Sequence, residues 1–359
     1  MQKFGDKNIM KHYNIPIFIA HFGCPNKCVF CNQNKITGIE TNIQPEEVKG
    51  IIDEYLCTLP SYGEKELAFF GGTFTAISIP LQKEFLSVAK EFIDKGLIKG
   101  IRLSTRPDNI DLNIVKMLKE YGVTTVELGV QSLDNKVLSL SERGYRKEEV
   151  ERAVKLLKDF QIEVGIQIMP GLPGSSFKSD LQTVKEVIEM KPNFTRIYPT
   201  LVISDTKLEK MFKNNEFVPL SLDEAVDLTS VIIAVLENCK IPIIRVGLQP
   251  SEDIREEGVI VAGPFHPAFR ELCESNIYRL FFEEKLITCE KIIVKVSHRD
   301  VSRVSGIRGS NKKHFGKRLE IIVDETIEKG SFYLNNQKYC RENLLKNVLR
   351  VVLNEADNN

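Results

Sequence analysis

Three thiols in one short run, Cys24-Pro-Asn-Lys-Cys28-Val-Phe-Cys31, are the residues best equipped for chemistry. Thiolates at this density are soft donors that suit zinc or an iron–sulfur cluster. A structural zinc site or an electron-transfer cluster ordinarily takes four protein ligands. No fourth cysteine is near, and the next, Cys57, falls in a stretch of helical periodicity. Three thiolates on a four-iron cube leave one iron open to an outside ligand, so the run favours a catalytic cluster over a closed structural one. Three free thiols, or a zinc ion completed by His21, are the other arrangements it allows.

Such ligands need a scaffold, and the first two-thirds of the chain supply a repeating one. Short β-rich runs at 15–21, 67–70, 101–104, 124–130, 164–169 and 195–198 alternate with helical patterns at 45–59, 81–95, 112–121, 147–160, 177–190 and 222–237. Several of the runs are almost wholly apolar, as expected of parallel strands covered on both faces. Six strand–helix units fit an α/β architecture of the partial TIM type, a (βα)6 barrel, better than an antiparallel fold. The run 241–246 adds a candidate seventh strand, and an open doubly wound sheet is the alternative.

In a barrel of this kind ligands sit on the loops that follow the strand ends. Unusual residues gather there: Gly23-Cys24-Pro25, Gly71-Gly72-Thr73, Ser104 through Asp108, Gly129 through Ser132, and Met169 through Gly174. After about residue 255 the alternation changes, with strands expected at 292–296, 319–323 and 332–334 and a helix at 342–353. The expected division is a barrel over 1–254 and a smaller α+β appendage over 255–359.

Composition sets the outer bounds. The 359 residues are 42% hydrophobic and 27% charged, with 49 basic and 49 acidic residues, which excludes a disordered chain, a fibre and a membrane protein. No apolar leader opens the chain and no apolar run is long enough to span a bilayer. The reading is a cytoplasmic chain with reduced thiols.

The cysteine run, with Phe30 as its aromatic, resembles the signature of the radical S-adenosylmethionine (SAM) enzymes. A closer similarity is to the radical SAM half of the Elongator catalytic subunit and its bacterial relatives, over most of 15–250. It is carried by Phe70-Gly71-Gly72-Thr73-Phe74-Thr75, Thr105-Arg106-Pro107-Asp108, Val126-Glu127-Leu128-Gly129-Val130-Gln131-Ser132, Met169-Pro170-Gly171-Leu172-Pro173-Gly174 and Ile197-Tyr198-Pro199-Thr200. A weaker similarity is to oxygen-independent coproporphyrinogen oxidase.

The resemblance implies a radical SAM barrel in which Cys24, Cys28 and Cys31 hold a [4Fe-4S] cluster. SAM would chelate the open iron, and an electron from a donor such as ferredoxin or flavodoxin would release a 5′-deoxyadenosyl radical. It further implies that Gly71, Gly72 and Thr73 face the SAM ammonium, that Ser104 and Gln131 reach the ribose or methionine, and that Arg143 pairs with the carboxylate. Gln167 would bond a ribose hydroxyl and the 169–174 loop would cover the adenine. Ser104 stands where relatives often carry Glu, and Gln167 where they carry Asp or His.

Substrate contacts are less marked. Arg196 and Tyr198 alternate onto one face of the sixth strand, inside or outside the barrel. Glu127 and Arg106 read equally as a packed ion pair or as substrate contacts.

Residues 291–318 hold nine Lys or Arg and one acid, a net of +8 that the rest of the chain balances. Such a local excess suits a phosphate backbone, and with the Elongator-like strings it points to an RNA base, in tRNA, as substrate. A small molecule such as a tetrapyrrole is the second reading, and a non-enzymatic metal-binding RNA module the third. No acetyltransferase domain is expected, since the nearest acetyl-CoA-like string, 303–308, lacks the second small residue such a loop needs. Cys239, Cys273, Cys289 and Cys340 read as small buried hydrophobes, and His266 as a turn residue.

Overall fold

The computed structural model describes residues 11–19, 24, 28–32, 35, 43–248 and 258–357, with 351–357 by backbone alone. Its strands are β1 (His12–Ile19), β2 (Glu64–Gly71), β3 (Gly100–Thr105), β4 (Val123–Gln131), β5 (Glu163–Ile168), β6 (Phe194–Ile197), β7 (Val202–Ile203), β8 (Ile243–Val246), β9 (Ile260–Ala262), β10 (Ile292–Val296), β11 (Leu319–Val323), β12 (Ser331–Leu334) and β13 (Gln337–Cys340).

Seven of them form one sheet in the order β1-β2-β3-β4-β5-β6-β8, parallel at every pairing. The sheet curls into a half-barrel. The run at 241–246 is therefore a true seventh strand. Each connection carries a helix whose start is written in the sequence. Pro45 sits in the first turn of Pro45–Thr58, Asp111 caps Leu112–Glu120, and Ser176 and Ser221 open capping boxes for Phe177–Glu189 and Leu222–Asn238.

The two faces of the sheet differ, contrary to the expectation of strands apolar on both. On the helix side Ile15, Ile17, Leu67, Phe69, Leu103, Val126, Leu128, Val164 and Ile166 are buried in the main core. On the inner side register aligns Ser104 with Glu127, Gly129 with Gln167, and Gln167 with Arg196. A half-barrel leaves this concave face open to polar ligands, so alternation of period two puts the polar set there.

Beyond the barrel lies a four-stranded sheet ordered β11-β10-β12-β13. β12 and β13 join through Asn335-Asn336, both at positive φ (47° and 69°), as a two-residue primed turn requires. The helix Phe269–Lys285 packs under this sheet and against both Leu222–Asn238 and the terminal helix Arg341–Asp357. Phe281 and Tyr278 meet Phe332 and Tyr339 across that interface, ring centroids 5.2–5.8 Å apart. One apolar core thus runs from Ile15 in β1 to Val348 in the terminal helix.

Of the four scattered cysteines only Cys273 is fully buried. Cys239 is exposed, because it ends the helix Leu222–Asn238 at the turn into solvent. His266 is a turn residue whose Nδ1 accepts from the Ala268 amide at 3.0 Å. Among the described residues no helix is long and apolar enough to cross a membrane.

Candidate active site

The site lies where the parallel strands end. The cysteine run follows β1 and is anchored by its apolar members. Val29 and Phe30 are buried in a second core with Val137, Leu172, Leu208 and Phe217, and the Val29 amide and carbonyl bond Ser141 O and the Leu208 amide. That is the structural use of the motif's aromatic: it pins the loop so that the flanking thiols face inward.

Each thiol has its own surroundings. Cys24 Sγ lies 3.2 Å from Thr73 Oγ1, at the end of β2. Cys28 Sγ accepts from Arg143 Nη1 at 2.9 Å and lies 3.7 Å from Arg106 Nη1. Burial pushes the Cys31 thiol up to about 12, helped by the negative charge that Cys28 and Cys24 would carry. Burial also raises Cys24, against the opposing bond from Thr73. Cys24 and Cys31 therefore hold their protons more tightly than ordinary thiols.

Arg143 and Arg106 are the cations already in place. Arg143 is 4% exposed. Its Nε and Nη2 donate to the Tyr145 hydroxyl at 3.1 and 3.0 Å, and Nη2 also donates to Gly129 O. Burial opposes its charge, but the Tyr145 oxygen and the Cys28 sulfur outweigh that and hold the guanidinium above its ordinary value. Arg106 grips Asp108 through two bonds of 3.0 and 2.9 Å and donates to the Arg143 carbonyl. The Tyr145 ring lies 5.0 and 5.2 Å from the two guanidinium carbons, within cation–π range.

The remaining expected residues surround this centre. Gly71 has φ +95°, a left-handed conformation that favours glycine, and the Gly72 amide bonds back to Ile19 O at 3.0 Å. This turn delivers Thr73 to Cys24. β4 ends in a bulge, with Gln131 at φ +69°. Gln131 Oε1 accepts from Gln167 Nε2 at 3.0 Å. Gly129 keeps that corner open, since a Cβ there would stand 3.0 Å from the Gln131 amide nitrogen and 3.6 Å from Arg143 Nη2. Ser104 is half-buried on the same inner face. The 169–174 loop is tied down by Asp180, whose carboxylate accepts from the Gly171 amide at 3.0 Å; burial pushes that carboxyl up to about 7.

Deeper inside runs a ladder of charges. Glu127 accepts from Arg196 at 2.6 and 3.0 Å and from Arg102 at 2.9 Å. Arg102 also donates to Glu66 at 2.7 Å, and Arg196 to the Tyr198 hydroxyl at 3.3 Å. Arg196 and Tyr198 therefore stand inside the barrel, and Glu127 is a packed partner of Arg196. Arg106 joins Asp108 and Cys28 instead. Glu66 and Arg102 escaped the sequence reading. The available signal was a charged residue within each of β2, β3, β4 and β6.

Among the described residues no three His, Cys, Asp or Glu side chains converge on a point fit for one metal ion. A four-iron cube asks for less, because each thiolate binds a different iron. Reduced thiols packed within reach of one another's charge and facing cationic donors fit such a cube. His21, the residue expected to complete a zinc site, lies outside the described residues.

Comparison with known proteins agrees. A tRNA uridine(34) acetyltransferase of Methanocaldococcus infernus is 31% identical over 253 residues, which are 59% of this chain and 47% of that protein. Elongator complex protein 3 of Saccharomyces cerevisiae is 28% identical over 53% of this chain and 38% of its own. The chain spans about half the length of the curated relatives it matches. The solved structure of archaeal Methanocaldococcus infernus Elp3 with an N-terminus deletion (1–46) is 26% identical with a TM-score of 0.61, over 81% of this chain and 67% of that one. The Radical SAM superfamily profile matches residues 18–187 and the Radical_SAM C-terminal domain profile residues 192–279. Together the two profiles take in most of the chain, which is an enzyme of the radical SAM superfamily.

Proposed function

We propose that this enzyme cleaves SAM reductively and acts on a base of RNA, in tRNA. The observation that carries the proposal is the meeting of Cys24 with Thr73 and of Cys28 with Arg143 and Arg106 at the strand ends. A [4Fe-4S] cluster with SAM on its open iron supplies, once reduced by an external one-electron donor, a 5′-deoxyadenosyl radical that takes a hydrogen atom from substrate.

The chain's own residues bind, orient and shield. Cys24, Cys28 and Cys31 hold the cluster, giving up their protons as it binds. Gly71, Gly72, Thr73, Ser104, Gln131 and Gln167 line the SAM pocket, with amide and hydroxyl groups for a ribose and backbone for an ammonium. Val29, Phe30 and Leu172 keep water from the far side of the cysteine loop. Arg196 and Tyr198 face the substrate, Arg196 held by Glu127 and Tyr198 by the bond it accepts from Arg196.

RNA as substrate rests on two supports. Relatives are named for tRNA uridine 34 and for Elongator. The appendage also offers cations: Lys312, Lys313 and Lys317 are exposed and form no ion pair with described residues. Three members of the basic run are engaged: Lys291 pairs with Glu320, Arg303 with Asp300, and Arg318 donates to Leu286 O and Glu290 O.

Anaerobic protein given dithionite and SAM is expected to release 5′-deoxyadenosine, faster when tRNA is added, and to lose this on Cys28→Ala. No release, or release indifferent to tRNA, would count against the cleavage or the RNA substrate respectively.

A further inference from the structure

The four-stranded sheet of the appendage has two unlike faces. On its inner side Phe332 and Tyr339 are buried and stacked on each other, ring centroids 5.5 Å apart. On its outer side register sets four side chains in one row: Ile322 of β11, Lys295 of β10, Tyr333 of β12 and Lys338 of β13. Ile322 and Lys338 are exposed, Lys295 and Tyr333 half-buried. Among the described residues the Tyr333 ring stacks on no other ring and its hydroxyl makes no hydrogen bond, and neither lysine beside it has an ion-pair partner. Neighbouring strands lie about 4.8 Å apart, so one cation stands on each side of the ring with room for a single flat group between them.

Lys295, Tyr333 and Lys338 line a hollow of about 400 Å³ whose wall includes Asp324 and Glu328. Asp324 Oδ1 accepts from the Thr326 amide and hydroxyl at 2.9 and 2.6 Å, which leaves Oδ2 without a hydrogen bond among the described residues. Two cations and two anions share the hollow, so a bare phosphate or a duplex backbone meets as much repulsion as attraction there. A nucleotide with an unpaired base matches the arrangement group for group. It brings a π-face for the ring, phosphates for the lysines and base N–H donors for the carboxylate. A second copy of the chain would need a broader apolar face than Ile322 and Val323 provide.

We infer that this outer sheet face binds single-stranded RNA, with a base stacked on Tyr333, its phosphates on Lys295 and Lys338 and its N–H edge on Asp324, and so grips the substrate outside the barrel. The inference deepens, and rests on, the reading of RNA as substrate.

The test is fluorescence anisotropy of the full chain with a labelled single-stranded oligo(A) of roughly ten nucleotides, beside the same sequence in a duplex. Tyr333→Ala is expected to weaken single-strand binding about tenfold, as loss of one stacked base does. Tyr333→Phe keeps the ring and is expected to bind like wild type. Lys295→Ala and Lys338→Ala are each expected to lower the slope of log affinity against log salt by about 0.7, one single-strand phosphate apiece. Lys338 is exposed, so Lys338→Ala carries the test should Tyr333→Ala fail to fold. Single-strand binding unchanged in Tyr333→Ala and Lys338→Ala, or duplex binding that falls equally with them, would overturn the inference. So would a dimer that Tyr333→Ala breaks while RNA binding holds, which would give the face to a second copy of the chain. Single-strand binding that depends on Tyr333, together with 5′-deoxyadenosine release indifferent to tRNA, would instead overturn RNA as substrate while the binding face stands.

Discussion

Glu127 is the residue on which the interior of the barrel turns. Its two oxygens take three bonds from Arg196 and Arg102, and its side chain is nearly buried. Removing one member of such a network leaves the others charged and unpaired in a low-dielectric place. Glu127→Gln is therefore expected to destabilise the fold by about 3 kcal/mol in urea unfolding, near the lower end for a buried pair because Arg196 retains some solvent. A change within about 0.5 kcal/mol, typical of surface sites, would show the ladder to be a solvated one. At this scale the sequence was half legible. Three cysteines with no fourth nearby mark the candidate site, and the structure sets Cys24 beside Thr73 and Cys28 beside Arg143 at the strand ends. Alternation placed Arg196 and Tyr198 on one face but could not say which, since that depends on how the sheet curls. Glu66 and Arg102 acquire a role only once β2, β3 and β4 stand side by side.

The elements that carry the loops have their own sensitivities. Asp180, in the helix Phe177–Glu189, holds the Gly171 amide, and burial has lifted its carboxyl from 3.8 to about 7. A carboxyl whose folded value lies above its unfolded one favours folding while protonated. Its contribution is full below 3.8 and is lost as pH rises through about 7. Asp180→Asn, which keeps an acceptor for Gly171, is expected to gain stability relative to wild type as pH goes from 5 to 8, seen as a pH-dependent difference in melting temperature. A difference flat with pH would refute it. The barrel helices were legible because each is apolar on one side and capped. The helix Phe269–Lys285 was not. It is buried on several sides, and polar pegs break its apolar period: Glu274 meets Arg341 at 2.9 Å, and Asn276 meets Asp227 and Ser230 at 2.9 and 3.1 Å. β13 escaped because its four residues are mostly polar and only the Asn335-Asn336 turn defines it.

Across the whole molecule, one core joins the half-barrel to the appendage through the helix Phe269–Lys285, so the basic run is held on a firm platform rather than hung from a linker. The free cations on it define a prediction about salt. Replacing Lys312, Lys313 and Lys317 with Ala is expected to weaken tRNA retention and to reduce the slope of log affinity against log salt by about 2 to 3, as three lost phosphate contacts would. Arg318→Ala is expected to act on stability instead, because its guanidinium serves Leu286 and Glu290 carbonyls. Equal slopes for wild type and the triple variant would remove these three lysines from RNA binding.

The most direct measurement on the central claim is the EPR spectrum of dithionite-reduced, oxygen-free protein before and after SAM is added. A [4Fe-4S] signal that shifts its g-values on SAM addition, and that is absent when Cys24, Cys28 or Cys31 is replaced by Ala, is the result this account predicts. Bound zinc with no such signal, or an iron–sulfur signal indifferent to SAM, would contradict it.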